Sequence, residues 1–214
     1  METNFSAVLT GDFVNSRQMS QSQIADAFEQ LENTANEINE NKAWIVFERY
    51  RGDGWQLFID QANLSIDLAI AITCALKALP HPAKTRISIG FGSASFVSKS
   101  IFDASGTAFT NSGDALENMA KDQLLAIDHT LGDVARAAIN LLDFQMQHWT
   151  KAQSQAVYYK VTRRLIGITD QEIADKLNIT RQAVQARLSS VGFRHLTSAV
   201  HHLEGAIIES WKNA

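Results

Sequence analysis

Two aspartates near the start of the chain have the residue type and the setting of a cation site. Asp12 follows the short apolar run over residues 5–9, and Asp53 lies between two glycines. Carboxylate oxygens are the ligands that Mg²⁺ prefers and often shares with phosphates. The pair therefore predicts a Mg²⁺ site. Both residues are also common in turns, Asp12 as a cap and Asp53 beside a hairpin glycine, and this alternative stays open.

A serine and an arginine, Ser16 and Arg17, come shortly after the first aspartate. An arginine can pair bidentately with a phosphate or with a carboxylate. The first pairing predicts a phosphorylated ligand at this end of the chain. In the alternative, Arg17 forms an ion pair with Asp53 or another acid and only holds the loop.

Residues 169–188 have the pattern of two short helices joined by a tight turn. Thr169 and Glu172 form a capping box, and Thr180 caps the second helix. Ala174 provides the small side chain that a close helix crossing needs. The core positions of the pair are Ile173, Leu177, Ile179, Val184 and Leu188. The segment resembles the helix-turn-helix motifs of bacterial transcription regulators.

The outward face of the second of these helices has side chains suited to DNA. Glutamine can form paired hydrogen bonds with adenine, alanine can contact a thymine methyl group, and flanking arginines can reach phosphates. The predicted contacts with double-stranded DNA are Thr180, Arg181, Gln182, Gln185, Ala186, Arg187 and Ser189. The alternative is a helical hairpin used only for dimerisation or domain packing. The absence of acidic residues from this face argues against that alternative.

Charge is divided unevenly along the chain. Residues 1–147 contain 18 acidic and 10 basic side chains, whereas residues 148–214 contain 5 acidic and 9 basic ones. This asymmetry predicts an acidic domain over residues 1–150 and a basic helix-turn-helix domain over residues 151–214, with an anionic partner for the second.

The elements that must position the two aspartates alternate between strands and helices. Strands are predicted over residues 5–9, 44–50, 55–59 and 86–91, and helices over 21–39 and 64–79. This βαββαβ order predicts an α+β, ferredoxin-like domain with two helices on one face of its sheet. The first strand of such a sheet lies beside the hairpin, so both carboxylates would approach one edge.

Further elements are predicted after the sheet. Helices are expected over residues 110–121, 132–149, 155–166 and 196–211, with an edge strand over 124–127. Two of these helices carry apolar stripes beyond the needs of a small helix-turn-helix core. The stripes comprise Val134, Ala138, Leu141, Leu142 and Gln145, and Val200, Leu203, Ile207 and Trp211. The stripes predict a homodimer that would contact two DNA half-sites. In the alternative, they are buried by packing between the two domains of one chain.

Composition excludes several classes of protein. A single cysteine, Cys74, excludes an intramolecular disulfide framework, and the six histidines lack metal-ligand spacing. The N-terminus lacks the basic start and apolar run of a secretory signal, and residues 64–79 are too polar to cross a bilayer. We therefore expect a soluble, cytoplasmic protein without membrane contact.

Three motifs carry a resemblance to known families. A first-strand aspartate followed about forty residues later by a Gly-Asp hairpin resembles the palm of class III nucleotidyl cyclases and diguanylate cyclases. The chain resembles the SatD family more closely, and over essentially its whole length. The matching motifs are Gly-Asp-x-Val-x-Ser-Arg at 11–17, Gly-Asp-x-x-Gln at 52–56 and Arg-x-x-Ile-Gly-x-Gly at 86–92, followed by the helix-turn-helix.

The resemblance implies a nucleotidyl cyclase-like domain with a pocket for a nucleotide-like small ligand. Through the motifs it places Gly11, Ser16, Arg17 and Gly52 at that ligand, with Asp12 and Asp53 at the metal. True cyclases resemble one another in a later helix with an asparagine and, four residues on, an arginine.

This chain departs from that cyclase helix pattern. Asn111 is followed at the arginine offset by Ala115, and the acids Asp114 and Glu117 nearby would repel a triphosphate. No catalytic residue is therefore predicted. The expected function is a DNA-binding transcriptional regulator whose N-terminal domain senses a ligand or mediates dimerisation. The alternatives are a metal-dependent nucleotide-processing enzyme targeted to DNA, and a non-catalytic interaction module.

Overall fold

Strands and helices follow one another along the chain largely as the sequence patterns predict. The computed structural model describes residues 2–39, 44–50, 52–98, 100–164 and 167–212. The strands in these ranges are β1 (Glu2–Phe13), β2 (Ile45–Tyr50), β3 (Gly54–Ile59), β4 (Thr85–Phe96), β5 (Ala104–Ser105) and β6 (Leu125–Ile127). The helices are α1 (Gln21–Asn39), α2 (Ser65–Ala78), α3 (Thr107–Glu117), α4 (Gly132–Gln147), α5 (Lys151–Thr162), α6 (Asp170–Leu177), α7 (Arg181–Ser190) and α8 (Phe193–Lys212).

The sheet has the strand order β2-β3-β1-β4-β5, and β6 also pairs with β4. Neighbours in that order run antiparallel, whereas β6 lies parallel to β4. The central strand β1 thus lies between β3 and β4, which is the arrangement of the split βαβ units in a ferredoxin-like sheet. The predicted α+β, ferredoxin-like fold is confirmed.

Helices α1 and α2 cover one face of this sheet. Alternate residues of β1 point to opposite faces, so Ala7 and Leu9 pack under these helices while Val8 points the other way. Helix α2 is buried on nearly every side because α5 packs against its outer surface. This double burial explains why α2 is apolar almost all round instead of amphipathic.

Helix α3 covers the other face, where an aromatic cluster fills the space beside it. The ring centroids of Trp44, Phe58 and Phe96 lie 4.7–4.9 Å apart in edge-to-face contacts. Gly90 lets the helix backbone approach β4 directly, since a Cβ there would lie 2.2 Å from the Ser112 nitrogen. The sheet is therefore covered on both faces.

The C-terminal helices join the same hydrophobic core. Helices α5, α6 and α7 pack together, and α8 returns against α7, α4 and α2. Thr150 and Gln153 form a capping box, so α5 begins directly after the predicted junction. One cluster of buried side chains extends from the helical face of the sheet into these helices. The division at residue 150 stays a prediction.

Several predicted boundaries are corrected by the structure. Strand β1 does not stop at residue 9 but continues to Phe13, because Gly11 pairs with Trp55 on one side and Ile87 on the other. Helix α3 lies three to four residues earlier than the predicted 110–121, and α5 begins at Lys151 and not at 155. Residues 165 and 166 of that predicted helix, and Arg51 of the predicted hairpin, lie outside the described residues.

Within the described ranges, no helix combines the length and the apolar character needed to span a membrane.

Candidate functional site

The carboxyl end of β1 brings the first predicted aspartate against an arginine. Asp12 lies opposite Arg86 of β4 and opposite Gly54 of β3. The Arg86 Nε donates a hydrogen bond of 2.8 Å to Asp12 Oδ1, and Nη2 donates to Oδ2, which makes a bidentate ion pair. The hydrogen bond with Asp12 raises the pKa of Arg86, and burial opposes this shift. The negative charges of Asp12 and Asp53 raise the pKa further.

The second predicted aspartate lies at the same end of the sheet. The Ser16 hydroxyl donates to Asp53 Oδ2, and the Phe13 amide donates to the Asp53 carbonyl at 3.3 Å. Gly52 has a φ of +75° in the exposed turn, and Arg17 is exposed. The structure thus brings Asp12, Asp53 and Ser16 to one edge, while Arg17 and Gly52 lie at its exposed rim.

These residues, as arranged, do not fit a divalent cation. Both oxygens of Asp12 accept from Arg86, and one oxygen of Asp53 accepts from Ser16. Within the described ranges, no three or more His, Cys, Asp or Glu side chains gather as a metal site would require. A Mg²⁺ ion would have to displace the guanidinium, so the magnesium site stays a prediction.

Gly11, a predicted ligand residue, has a packing role on the opposite face. A Cβ at this position would lie 2.4 Å from the Arg86 carbonyl oxygen and 2.5 Å from the Trp55 ring. The buried Trp55 indole donates to Thr85 Oγ1 at 3.0 Å, and that hydroxyl donates to the Asp12 carbonyl at 2.8 Å. The packing of Trp55 is therefore enough to require glycine at position 11, whether or not a ligand binds nearby.

Helix α3 uses its polar side chains to attach to the sheet. The Asn111 amide donates to the Phe91 carbonyl at 2.8 Å, and Ser88 donates to the Ser112 carbonyl at 2.6 Å. The Thr10 and Ser112 hydroxyls lie 2.8 Å apart. Asn111, which resembles a cyclase asparagine, is thus held by a hydrogen bond from its side chain to the backbone of β4.

Helices α6 and α7 are two short helices joined by a tight turn, at the place where the helix-turn-helix is predicted. Their identity as a DNA-binding motif stays a prediction. Asn178, in the left-handed conformation at φ 52°, ends α6, and the Thr180 hydroxyl accepts from the Ala183 amide at 3.2 Å to begin α7. Val184 and Leu188 are buried, as predicted. Six of the predicted DNA contacts are exposed and the seventh, Arg187, is half-buried. The exposed ones are Thr180, Arg181, Gln182, Gln185, Ala186 and Ser189.

An acid that the sequence pattern did not reveal lies beside this face. Gln185 Nε2 donates to Asp170 Oδ2 at 3.3 Å, and Lys160 Nζ lies 2.7 Å from Asp170 Oδ1. The hydrogen bond from Lys160 lowers the pKa of Asp170, with smaller contributions from Gln185 and Arg181. Helix α7 itself carries no acid, but the first residue of α6 places one next to it. The sequence did contain one indication of this acid, because Asp170 directly follows the helix cap Thr169.

Comparison with known proteins gives a likeness of fold. No family model and no curated protein matches the chain. Among solved structures, the monomeric guanylyl cyclase domain of a RhoGC fusion protein from the aquatic fungus Blastocladiella emersonii is 14% identical, with a TM-score of 0.45. That alignment covers 59% of this chain and 82% of the fungal domain. The catalytic core of a rhodopsin-guanylyl cyclase with converted specificity is 14% identical over 59% of this chain and 78% of its own, with a TM-score of 0.44.

Proposed function

We propose that this protein is a DNA-binding transcriptional regulator. Its helix-turn-helix would contact double-stranded DNA, and its cyclase-like domain would sense a nucleotide-like ligand or mediate dimerisation. The observation that carries the proposal is the exposed face of α7, where Gln182, Gln185, Ala186 and Ser189 lie outward over a buried Val184 and Leu188. Helix α7 carries two arginines and no acid, a charge that suits contact with a polyanion.

The two kinds of side chain on α7 would have different roles. Gln182 and Gln185 can each make two hydrogen bonds to an adenine edge in the major groove. Arg181 is exposed at the first turn of the helix, where it can reach a phosphate without reading sequence. For Gln185 to reach a base, its hydrogen bond to Asp170 must open, and exposed side chains exchange such partners readily.

The attachment of the motif to the sheet domain supports a regulatory role. Helix α5 packs against α2 and α1 on one side and against α6 and α7 on the other. A shift of the sheet-covering helices would therefore be passed to α7 through the packing of α5 against it.

Binding to DNA tests the proposal. Genomic footprinting would first identify bound sites, and fluorescence anisotropy would then compare a site with random DNA. The Gln182→Ala/Gln185→Ala variant should lose discrimination between them, since each lost bidentate pair costs about 1–3 kcal/mol. Arg181→Ala should weaken binding to both DNAs and reduce the salt dependence.

The matched control is Arg136→Ala, which removes an exposed positive charge from α4. This variant should keep the affinity, the discrimination and the salt dependence of the wild type. Unchanged discrimination in the double glutamine variant would contradict the assignment of the groove face. Incubation of the wild type with nucleoside triphosphates and Mg²⁺ tests the alternative of a nucleotide-processing enzyme, for which turnover is required.

We also propose that two copies pair through α4. Most of the apolar stripe of α8 is buried within the chain, at Val200, Leu203 and Ile207. It is therefore not available to a second copy. On α4, by contrast, Val134 is 86% exposed and Leu141 is 73% exposed.

The spacing of this surface suits a second copy of the same helix. Val134, Ala137, Leu141 and Phe144 recur at helical spacings of three and four. In an antiparallel pair, the small Ala137 of one copy can lie against Leu141 of the other, and Val134 against Phe144. We call these four residues the α4 seam.

A further inference from the structure

A groove lies where the helical layer of the sheet domain meets the helix-turn-helix. Its volume is about 630 Å³, within the range of about 300–1,000 Å³ usual for small-molecule sites. Helix α1 and the end of α2 form one wall, and α5 with Leu177 of α6 forms the other. The Asp12 region is at a different place, at the end of β1, so this groove is separate from the predicted metal and ligand residues.

The lining of the groove is unsuited to an anion. Among the described residues that line it, Glu37 alone carries a charge, and neither lysine nor arginine is included. Four carboxamides surround the acid and can accept or donate hydrogen bonds. They are Gln30, Asn33, Asn36 and Gln155. Among these lining residues a phosphate or carboxylate ligand would find no positive charge, whereas a cation would find the negative charge of Glu37.

The carboxylate of Glu37 is incompletely satisfied. Its Oε2 is shielded from solvent and has no hydrogen-bond partner. A buried charged oxygen without a donor is costly, so a ligand that brings an N–H group to it would be favoured. Burial raises the pKa of Tyr158, and a hydrogen bond with Thr34 opposes this shift. The charge of Glu37 and a hydrogen bond with its carboxylate raise the pKa further, so Tyr158 stays neutral beside Glu37.

The remaining walls offer an apolar and aromatic surface. Tyr158 and Tyr159 lie on the α5 side, and Ala75, Ala78, Leu79 and Pro80 lie on the α2 side. The cation-π contact of the Tyr159 ring is already made within the chain, since Lys176 Nζ lies 5.8 Å from its centroid, so this ring offers a ligand apolar contact only. A ligand with a cationic head and a flat apolar body would match the Glu37 carboxylate, the surrounding carboxamides and the apolar walls.

We propose that this groove binds a small organic cation, an amidinium, guanidinium or primary ammonium group on an apolar body, with Glu37 as its counter-ion. Because the ligand would contact α1 and α5 together, it would fix the sheet domain relative to the recognition helix. This regulatory consequence rests on the proposed DNA-binding function, but the binding itself does not.

Benzamidine and benzamide test the site directly, because they share a shape and differ in charge. Calorimetry on the full chain should show benzamidine binding with a Kd below about 1 mM, and benzamide at least about tenfold weaker. Glu37→Gln should weaken benzamidine by at least about tenfold and leave benzamide unchanged. Glu32→Gln, which removes an exposed acid of α1 outside the groove lining, should leave both affinities unchanged.

A second readout guards against misfolding of the variant. Because Glu37→Gln keeps the shape of the side chain and relieves an oxygen without a hydrogen-bond partner, its Tm without ligand should stay close to that of the wild type. Equal affinity for the charged and neutral probes, absence of benzamidine binding, or binding insensitive to Glu37→Gln would each overturn the proposal. DNA affinity measured with and without benzamidine then tests the regulatory consequence, and a chain that binds benzamidine but no DNA contradicts the proposed function alone.

Discussion

Two adjacent residues, Gly11 and Asp12, show how one short motif serves both faces of the sheet. Gly11 points to the helical face, where the Trp55 ring fills the space a side chain would take. Asp12 points to the opposite face, where it pairs with Arg86. The Gly-Asp pair therefore has a structural explanation at each position, and a role in binding would be additional to it.

Replacing Gly11 with alanine should destabilise the protein through the Trp55 contact. The added Cβ would lie 2.4 Å from a backbone oxygen, which the sheet cannot easily move. Overpacking of this kind costs about 1–3 kcal/mol, measurable as a loss in the free energy of unfolding in urea. Gly113→Ala on α3 is the control, because its Cβ would meet nothing within 4 Å. That variant should be neutral or more stable, since alanine favours a helix over glycine by about 1 kcal/mol.

Removing Arg86 should reveal whether the two aspartates can hold a cation. In the wild type the guanidinium occupies both oxygens of Asp12, so Mg²⁺ or Mn²⁺ should bind weakly. Arg86→Met frees the carboxylate and keeps much of the side-chain volume, and calorimetry should then show tighter Mn²⁺ binding. The Asp12→Asn/Arg86→Met variant should lose this gain. If the single variant binds no better than the wild type, the predicted metal site is wrong.

At the scale of elements, amphipathic helices and capping motifs were readable from the sequence. The stripe of Ile24, Phe28, Leu31, Ala35 and Ile38 predicted α1 with both bounds correct. The Thr169 capping box and the Thr180 cap correctly placed α6 and α7, because both signals are local.

Strand ends and cross-strand partners were not readable in the same way. Strand β1 extends to Phe13 because β3 and β4 supply partners on both sides, which no residue of β1 reveals. The pairing of Asp12 with Arg86 depends on the register of strands 74 residues apart, and the approach of Asp170 to Gln185 depends on how two helices cross. The candidate site could thus be located by sequence, but its partners could not.

A buried ion cluster joins three helices and should make stability depend on pH. Arg164, beyond the end of α5, lies 2.7 Å from Asp67 of α2 and also pairs with Glu204 of α8. Burial raises the pKa of Asp67 from 3.8 to about 7; Arg164 opposes this and Glu204 adds to it. Between these values the folded chain holds a proton that the unfolded chain has released. The free energy of unfolding therefore decreases as pH rises through this range.

The variant Asp67→Asn lacks that proton and should lose this part of the pH dependence. Its free energy of unfolding relative to wild type should increase by up to about 4 kcal/mol between about pH 4 and pH 8. Urea unfolding at several pH values measures the difference, in which other titrating groups cancel. Asp133→Asn, at a side chain that is 95% exposed, should show no such change. A constant difference for Asp67→Asn would mean that Asp67 stays ionised throughout.

At the scale of the whole molecule, helices α6 and α7 share one continuous hydrophobic core with the helical face of the sheet. Helix α5 packs on the sheet domain with one side and carries α6 and α7 on the other. Gln145 of α4 also donates to the Val191 carbonyl at 2.8 Å, at the turn between α7 and α8. Helix α4 is thus hydrogen-bonded to the end of α7, so contacts made by α4 would fix the position of α7.

A dimer formed through the α4 seam should therefore control DNA binding. One helix-turn-helix buries only about 600–1,000 Å² on DNA, and two copies on a two-fold axis would double the contacts. Leu141→Glu puts a charge in the middle of the seam, and light scattering should change from about twice the 23.7 kDa chain mass to that mass alone. Its affinity for a two-half-site DNA should fall with the dimer, whereas the monomer should remain folded because Leu141 is 73% exposed in the single chain. Ile208→Glu on α8, at another exposed apolar residue, is the control and should remain dimeric. A wild-type mass of 23.7 kDa at every micromolar concentration, with or without DNA, would contradict the dimer.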